Sequence, residues 1–257
     1  DGKIYIAMEY LPKGSLEDEA KGAYVPLTRA HRIMVDALRG LQYAHEKGLL
    51  HRDIKPANIL VGSNTEGKLS DFGLAVPKGV NLKTLGAKDY AYILHLAPEI
   101  HSGGSYSVHS DIYAAGVTLY RLINGDMYLP TISPGDIMQA SLDGTYPNRT
   151  HYREFIPRSV RMLVNRAMEV VPSRRFATAE DKRHSLEQIL ICMNWSEQIL
   201  SNGARWASGW DNKCYEVVRV RDSKGKWSIE TKKGSSKHTL RRGGSLCHKD
   251  LTKGQAI

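Results

Sequence analysis

Cysteine is scarce: Cys192, Cys214 and Cys247 are the only three in 257 residues. Their number is odd and their spacings are long. That excludes a disulfide framework and a cysteine-spaced metal site, and it matches a reducing compartment. Long apolar runs are also missing. No stretch approaches the ~18 consecutive apolar residues that a membrane-spanning helix requires. No secretory leader is evident, and together these absences predict a cytoplasmic protein with no membrane partner. Internal repeats and low-complexity tracts are absent. The chain opens on Asp1 and not on Met, so it is expected to be a fragment of a longer protein. What remains is ordinary for a globular chain, with 41% hydrophobic and 25% charged residues, and 257 residues suit one large domain or a medium domain with an appendage.

Acidic residues are short at one end only. Residues 1–202 carry 23 Lys+Arg against 22 Asp+Glu, whereas residues 203–257 carry 13 against 5. Nearly all of the net +9 therefore lies in the last fifth of the chain, which marks a separate module. Within it Tyr215–Val220 alternates like a strand, Asp222-Ser223-Lys224-Gly225 is a turn, Trp227–Thr231 reads as the return strand and His238–Leu240 as a third. The pattern is that of a small basic β meander of no recognised family. Its charge, with Trp206, Trp210 and Trp227, points to nucleic acid or an acidic protein as partner, and a plain solvated basic surface explains the charge equally well.

Residues ahead of the module read mainly as helices. Lys3–Tyr10 is an apolar, β-branched and aromatic run that predicts a strand, broken by Leu11-Pro12-Lys13-Gly14. Ser15-Leu16-Glu17-Asp18 then opens a short helix with a Ser cap. Leu27–Lys47 is amphipathic, with Ile33, Ala37, Leu41 and Ala44 on one face and Gly48 at its C-terminal end. Ser110–Asn124, Pro134–Leu142, Pro157–Val170 and Thr178–Leu200 are further predicted helices, and Lys78–Leu96 reads as a loop.

Three short motifs punctuate this frame in order: His51-Arg52-Asp53 with Lys55 and Asn58, then Asp71-Phe72-Gly73, then Ala97-Pro98-Glu99. Each alone is weak, but the ordered set with Asn five residues after Asp53 is specific. Its residue types suit phosphoryl transfer, which needs an oriented hydroxyl and cations at the phosphate oxygens. Asp53 can accept a substrate hydroxyl's hydrogen bond and then its proton. Lys55 supplies positive charge where negative charge gathers, and Asn58 and Asp71 offer the hard oxygens that Mg²⁺ takes alongside phosphate.

The set resembles the large lobe of a eukaryotic-type Ser/Thr protein kinase. The resemblance implies an α+β, kinase-like fold: a mainly α-helical large lobe with a hinge strand, followed by the C-terminal β module. Residues 1–13 would be the last small-lobe strand and the hinge, 14–202 the large lobe, and 203–257 the module. It implies ATP and Mg²⁺ as cofactors and protein as substrate. Asp53 would be the catalytic base, Lys55 would steady the transferring phosphoryl group, and Asn58 and Asp71 would hold the metal. Met8 would be the gatekeeper, the backbones of Glu9 and Leu11 would bond the adenine edge, and Leu60 would floor it. Asp111 would accept bonds from the catalytic-loop backbone and Arg175 would pair with Glu99, both structurally. Arg52 would bind a phosphate on the activation loop, with Thr84 as its acceptor and Tyr90 and Tyr92 behind it. Lys55 favours Ser/Thr over Tyr as substrate.

Two departures accompany the resemblance. Such kinases usually place Gly-Thr just before Tyr-x-Ala-Pro-Glu, and here Tyr92 stands where that Thr should contact Asp53 and Lys55. No Gly-x-Gly-x-x-Gly precedes the hinge, and neither a strand Lys for the nucleotide phosphates nor its helix Glu is present. Either the small lobe lies outside this chain or another chain replaces it, and residues 1–257 alone are expected to be weak or inactive. A non-catalytic kinase-like scaffold, binding partners through its helices and basic tail, is the alternative. Intact Asp53, Asn58 and Asp71 argue against it.

Overall fold

A computed structural model describes residues 7–77, 93–237, 240–242 and 248–251. The chain divides into two units, Asp1–Val25 with Arg29–Ile189 and Pro26–Thr28 with Leu190–Ile257. Together their elements make an α+β chain.

The first unit is mainly helical. Its helices are α1 (Glu17–Gly22), α2 (Leu27–Glu46), α3 (Pro98–His101), α4 (Val108–Asn124), α5 (Pro134–Leu142), α6 (Arg158–Ala167) and α7 (Ala179–Glu187). Between α2 and α3 the described residues form four short strands, β1 (Leu49–Leu50), β2 (Ile59–Val61), β3 (Gly67–Leu69) and β4 (Val76–Pro77), paired antiparallel as β1 with β4 and β2 with β3.

Helix α4 is the centre of this unit. Its N-terminus is closed by a serine pair: Ser107 Oγ accepts the His109 N–H and Ser110 Oγ accepts the Ser107 N–H, which satisfies orphan donors of the first turn. Every residue from Ser110 to Asn124 is buried, as expected of a helix that is apolar nearly all round. At Gly116 a Cβ would meet Ala167 Cβ and Met168 Cγ at 2.9 Å, so α4 and α6 approach where only glycine fits. The β2–β3 hairpin is seated on α2 in a similar way. The Gly67 N–H donates to the Asp36 carboxylate at 3.1 Å, and a Cβ at Gly67 would lie 2.5 Å from the Ile33 carbonyl oxygen.

The second unit is an antiparallel sheet of six strands: β5 (Ser196–Leu200), β6 (Gly203–Trp210), β7 (Lys213–Arg221), β8 (Trp227–Gly234), β9 (Arg241–Arg242) and β10 (His248–Leu251). Its order is β10-β8-β7-β6-β5, with β9 also on β8. Asp211 and Asn212 join β6 to β7 with φ of 49° and 53°, the left-handed pair of a tight hairpin whose twist suits the strands. The β7–β8 turn is held by Asp222, whose carboxylate accepts the N–H groups of Lys224 and Lys226.

Four expectations need correction. Thr178–Leu200 is not one helix: α7 ends at Glu187, and Ser196–Leu200 is β5, laddered onto β6. An apolar run such as Ile189–Ile191 does not distinguish helix from strand, and the available ladder decides. The sheet therefore starts ahead of the 203 boundary. Ser15 lies one residue ahead of the N-cap position of α1, which is Leu16, and its Oγ accepts the Glu17 N–H at a long 3.4 Å. Of the strand expected over Lys3–Tyr10, Ala7–Tyr10 is not in a strand and Met8 and Tyr10 are exposed. Among the described residues it has no ladder partner, without which a lone strand is marginal.

One group in this core is out of character. Lys182 of α7 is fully buried and donates a single hydrogen bond, to the Ile112 carbonyl at 3.3 Å. Burial lowers its pKa from 10.5 to about 7. The unfolded chain then binds more protons than the folded one between those two values, so stability should rise with pH across that window and be level below it. Lys182→Met should remove the slope and raise stability at pH 7 by on the order of a few kcal/mol. Urea titrations of both proteins at pH 6.5 and 9.5 measure this, and equal pH slopes would refute it.

Candidate active site

The loop between β1 and β2 carries His51, Arg52, Asp53, Lys55 and Asn58, and its shape is imposed from α4. Asp111, in the first turn of α4 and almost fully buried, accepts the His51 N–H at 2.9 Å and the Arg52 N–H at 2.8 Å on separate oxygens. His45 of α2 makes a 2.8 Å contact to the same carboxylate through Nε2. These bonds hold Arg52 at φ 70°, a conformation that costs a non-glycine residue about 1 kcal/mol or more.

Downstream, Pro56–Asn58 forms a 3-10 turn that folds Asn58 back onto Asp53. Asn58 Nδ2 donates to the Asp53 carbonyl at 2.7 Å and to Asp53 Oδ2 at 2.9 Å. Lys55 Nζ donates to the same Oδ2 at 2.7 Å. The β2–β3 register pairs Ile59 with Leu69, so Asn58 and Ser70 face one another at the open end of the hairpin. Ser70 donates through both N–H and Oγ–H to the Asn58 carbonyl. The next residue is Asp71, exposed and at φ 59°. The hairpin thus brings Asp71 to the end of the loop where Asp53, Lys55 and Asn58 gather.

His51 ties these parts together. The Asp53 N–H donates to its Nδ1 at 3.3 Å, so the ring proton sits on Nε2, 3.1 Å from the Ser70 carbonyl that accepts it. Phe72 packs against the ring, with centroids 4.7 Å apart. Burial lowers the His51 pKa below 6.5, with the nearby Asp111 carboxylate acting in the opposite direction.

Among the described residues no group of three or more His, Cys, Asp or Glu could form a metal cage. The donors here are the Asp71 carboxylate and the Asn58 amide. Because Asn58 Nδ2 is committed to Asp53, Oδ1 is the atom it could offer to a cation. Two hard oxygens fit Mg²⁺ that is shared with substrate phosphates.

Other predicted residues have definite places. Arg175 Nη1 and Nη2 each donate to a Glu99 oxygen at 2.7 Å, and Arg175 also donates to the His109 carbonyl, which braces α3 against the start of α4. Arg52 stacks on Tyr106, guanidinium carbon to ring centroid 4.1 Å, and donates to the Leu74 carbonyl. Glu9 pairs with Lys68, the residue opposite Leu60 in the hairpin. Leu60 is half-buried and bridged to Ser15. The Leu11 carbonyl accepts the Gly14 N–H in a turn, and Met8 stands exposed. Thr84, Tyr90 and Tyr92 lie outside the described residues.

The sequence reading missed His95 and Tyr106. His95 fills the Tyr position of Tyr-x-Ala-Pro-Glu. It is buried with Nε2 3.1 Å from Arg121 Nη1, and burial, with the Arg121 charge adding to it, drives its pKa well below 6.5. Arg121 in turn donates two bonds to the Asp126 carboxylate. The substituted position was visible in the sequence. Nothing local marks Tyr106.

The profile described as "Protein kinase domain" matches residues 1–186. Over 224 residues the chain is 28% identical to the serine/threonine-protein kinase PknJ of Mycobacterium tuberculosis, covering 82% of this chain and 38% of that protein. It is 30% identical over 191 residues to the serine/threonine-protein kinase PknB of the same species, covering 72% of this chain and 30% of PknB. Against an Aurora kinase of Eremothecium gossypii the identity is 35% over 193 residues, 71% of this chain and 48% of that one. The chain thus spans less than half the length of these curated relatives.

The geometry makes acid sensitivity predictable. With its pKa lowered in the fold, His51 resists the proton that the unfolded chain takes up near pH 6.5, so stability should fall as pH drops through 6.5 and level off below the folded value. His51→Gln should make that limb shallower, leaving the part that His95 contributes. Asp111→Asn should cost about 3 kcal/mol at pH 7, because an amide cannot accept on both sides and leaves a loop N–H unpaired. Denaturant melts from pH 4.5 to 7.5 read both effects, and an Asp111→Asn protein as stable as its parent would refute the second.

Proposed function

The chain belongs to the protein kinase family, in its eukaryotic-type Ser/Thr class, and from that premise we propose that the longer protein transfers the γ-phosphate of ATP to Ser or Thr hydroxyls of protein substrates. The observation that carries this is the convergence of Lys55 Nζ and Asn58 Nδ2 on one oxygen of Asp53. Both bonds engage Oδ2, so Oδ1 is left for the substrate hydroxyl.

Asp53 Oδ1 accepts the hydroxyl's hydrogen bond and then its proton as the hydroxyl oxygen bonds to the γ-phosphorus. The bond from that phosphorus to the β,γ-bridging oxygen breaks, and ADP carries the electron pair away. Lys55 sits beside Asp53, where its charge offsets the negative charge of the transferring group. Asn58 and Asp71 hold Mg²⁺, which when bound neutralises phosphate charge. In this reading residues 14–189 act as the large lobe and 1–13 as the segment that leads into it from the small lobe. Met8, the backbones of Glu9 and Leu11, and Leu60 line the adenine. Arg52 receives a phosphate placed on Thr84, and Asp111 with the Glu99–Arg175 pair keeps the frame.

Asp53→Asn and Asp71→Asn should each lower phosphate transfer by the longer protein by at least about 10²-fold. Radiolabel transfer to a generic protein substrate measures it, and undiminished turnover in both variants would sink the assignment. Residues 1–257 alone, having no Gly-x-Gly-x-x-Gly in their sequence, should bind Mg-ATP only weakly. Tight micromolar binding in a calorimeter would show that reading to be wrong.

A further inference from the structure

The register of the second unit sorts its charges onto opposite faces. Side chains alternate along a strand, and directly paired residues share a face. One face carries Arg205, Glu216, Glu230, Lys232 and Arg242. There the charges are paired off to within one: Arg205 and Lys232 pair with Glu216, which is buried, and Lys232 and Arg242 pair with Glu230.

The other face keeps the excess. Lys213, Arg219 and Arg221 of β7, Lys233 of β8 and Arg241 of β9 fall on it, against one carboxylate among the described side chains of β5 to β9, Glu197. That carboxylate accepts the Trp206 indole N–H at 2.9 Å. Aromatic rings share the face: Trp206, Trp210, Tyr215 and Trp227. Arg219 lies over both Trp206 and Trp227, 5.3 and 5.1 Å from their centroids, and Lys233 lies over Tyr215 at 5.4 Å. Lys213, Arg221, Lys233 and Arg241 are exposed, Trp210 is half exposed, Tyr215 and Trp227 are partly exposed, and Trp206 is buried.

We infer that this face binds single-stranded nucleic acid, its phosphates on the exposed cations and its bases against Trp210 and the partly exposed Tyr215 and Trp227. Cations alone would serve any polyanion. Rings interleaved with cations add a surface for bases, whose faces are free only when a strand is unpaired. An acidic protein segment offers carboxylates but nothing flat to stack. The inference rests on the second unit alone and is independent of phosphoryl transfer.

The test uses the full 257-residue chain and a fluorescein-labelled 16-mer of deoxythymidine, read by anisotropy from 50 to 300 mM KCl. Four exposed cations predict a log–log salt slope of about −3, from ~0.7 per phosphate contacted. Lys213→Gln with Lys233→Gln should weaken binding about tenfold or more. Lys226→Gln with Arg242→Gln, in the β7–β8 turn and on the opposite face, should change it by less than about threefold. Trp210→Ala should weaken the single strand by about tenfold, and Asp53→Asn should leave affinity unchanged. Equal losses from the two cation pairs would overturn the inference, as would a 16-base-pair duplex bound as tightly as the single strand. Competition by poly-glutamate as effective as that by unlabelled 16-mer would also overturn it, and would assign the face to acidic protein. Thermal melts of each variant must match the parent, and any variant that melts earlier is replaced by the corresponding Lys→Met or Trp→Phe change.

Discussion

The carboxylate of Asp111 is the constraint on which the first unit's site depends. It is a buried charge, and a buried charge persists only when its lone pairs are taken up. Here two of the acceptances come from consecutive loop N–H groups and a third contact comes from His45. The loop therefore has one shape that satisfies the carboxylate, and that shape turns Asp53 toward Lys55 and Asn58. Because the same ion sits at the start of a helix buried along nearly its whole length, the geometry of the site is inherited from the core. His51 extends this logic to the hairpin, since its two ring nitrogens bind the loop on one side and the strand end before Asp71 on the other.

Much of this was legible because the signals were local. The 3.6-residue periodicity of Leu27–Lys47 is a property of the sequence, and α2 runs over Leu27–Glu46. Pro134–Leu142 matches α5 at both ends, helped by a Pro at the first helical position and Ser133 ahead of it as cap. The motif residues Asp53, Lys55, Asn58 and Asp71 gather because the spacing between them is taken up by a tight turn and a three-residue hairpin. What failed was what depends on partners. Ser196–Leu200 is a strand because β6 offers it a ladder, and no feature of those five residues announces that. The His95–Arg121–Asp126 chain joins residues 26 and 5 apart through the interior, and a single sequence holds no record of that proximity.

The sheet of the second unit makes a related point about charge. A net of +8 over residues 203–257 says only that a surface is basic. Pairing decides where the basicity goes, and here the two glutamates of β7 and β8 fall on one side and neutralise it there. The other side is polarised as a result.

The glycine seam between α4 and α6 bears on motion. A contact that leaves no room for a methyl group also leaves no room for one helix to roll or slide over the other, because packed cores have discrete arrangements and not a continuum. Helix α4 is thereby locked in rotation, and with it the carboxylate that shapes the loop. Any on–off mobility in the site must be carried by parts that do not ride on α4. The 3-10 turn Phe72–Leu74 is such a part, joined to the loop by a ring contact and a carbonyl at its rim. The seam in effect anchors Asp53 to the core, while Asp71 opens the segment that the seam does not hold.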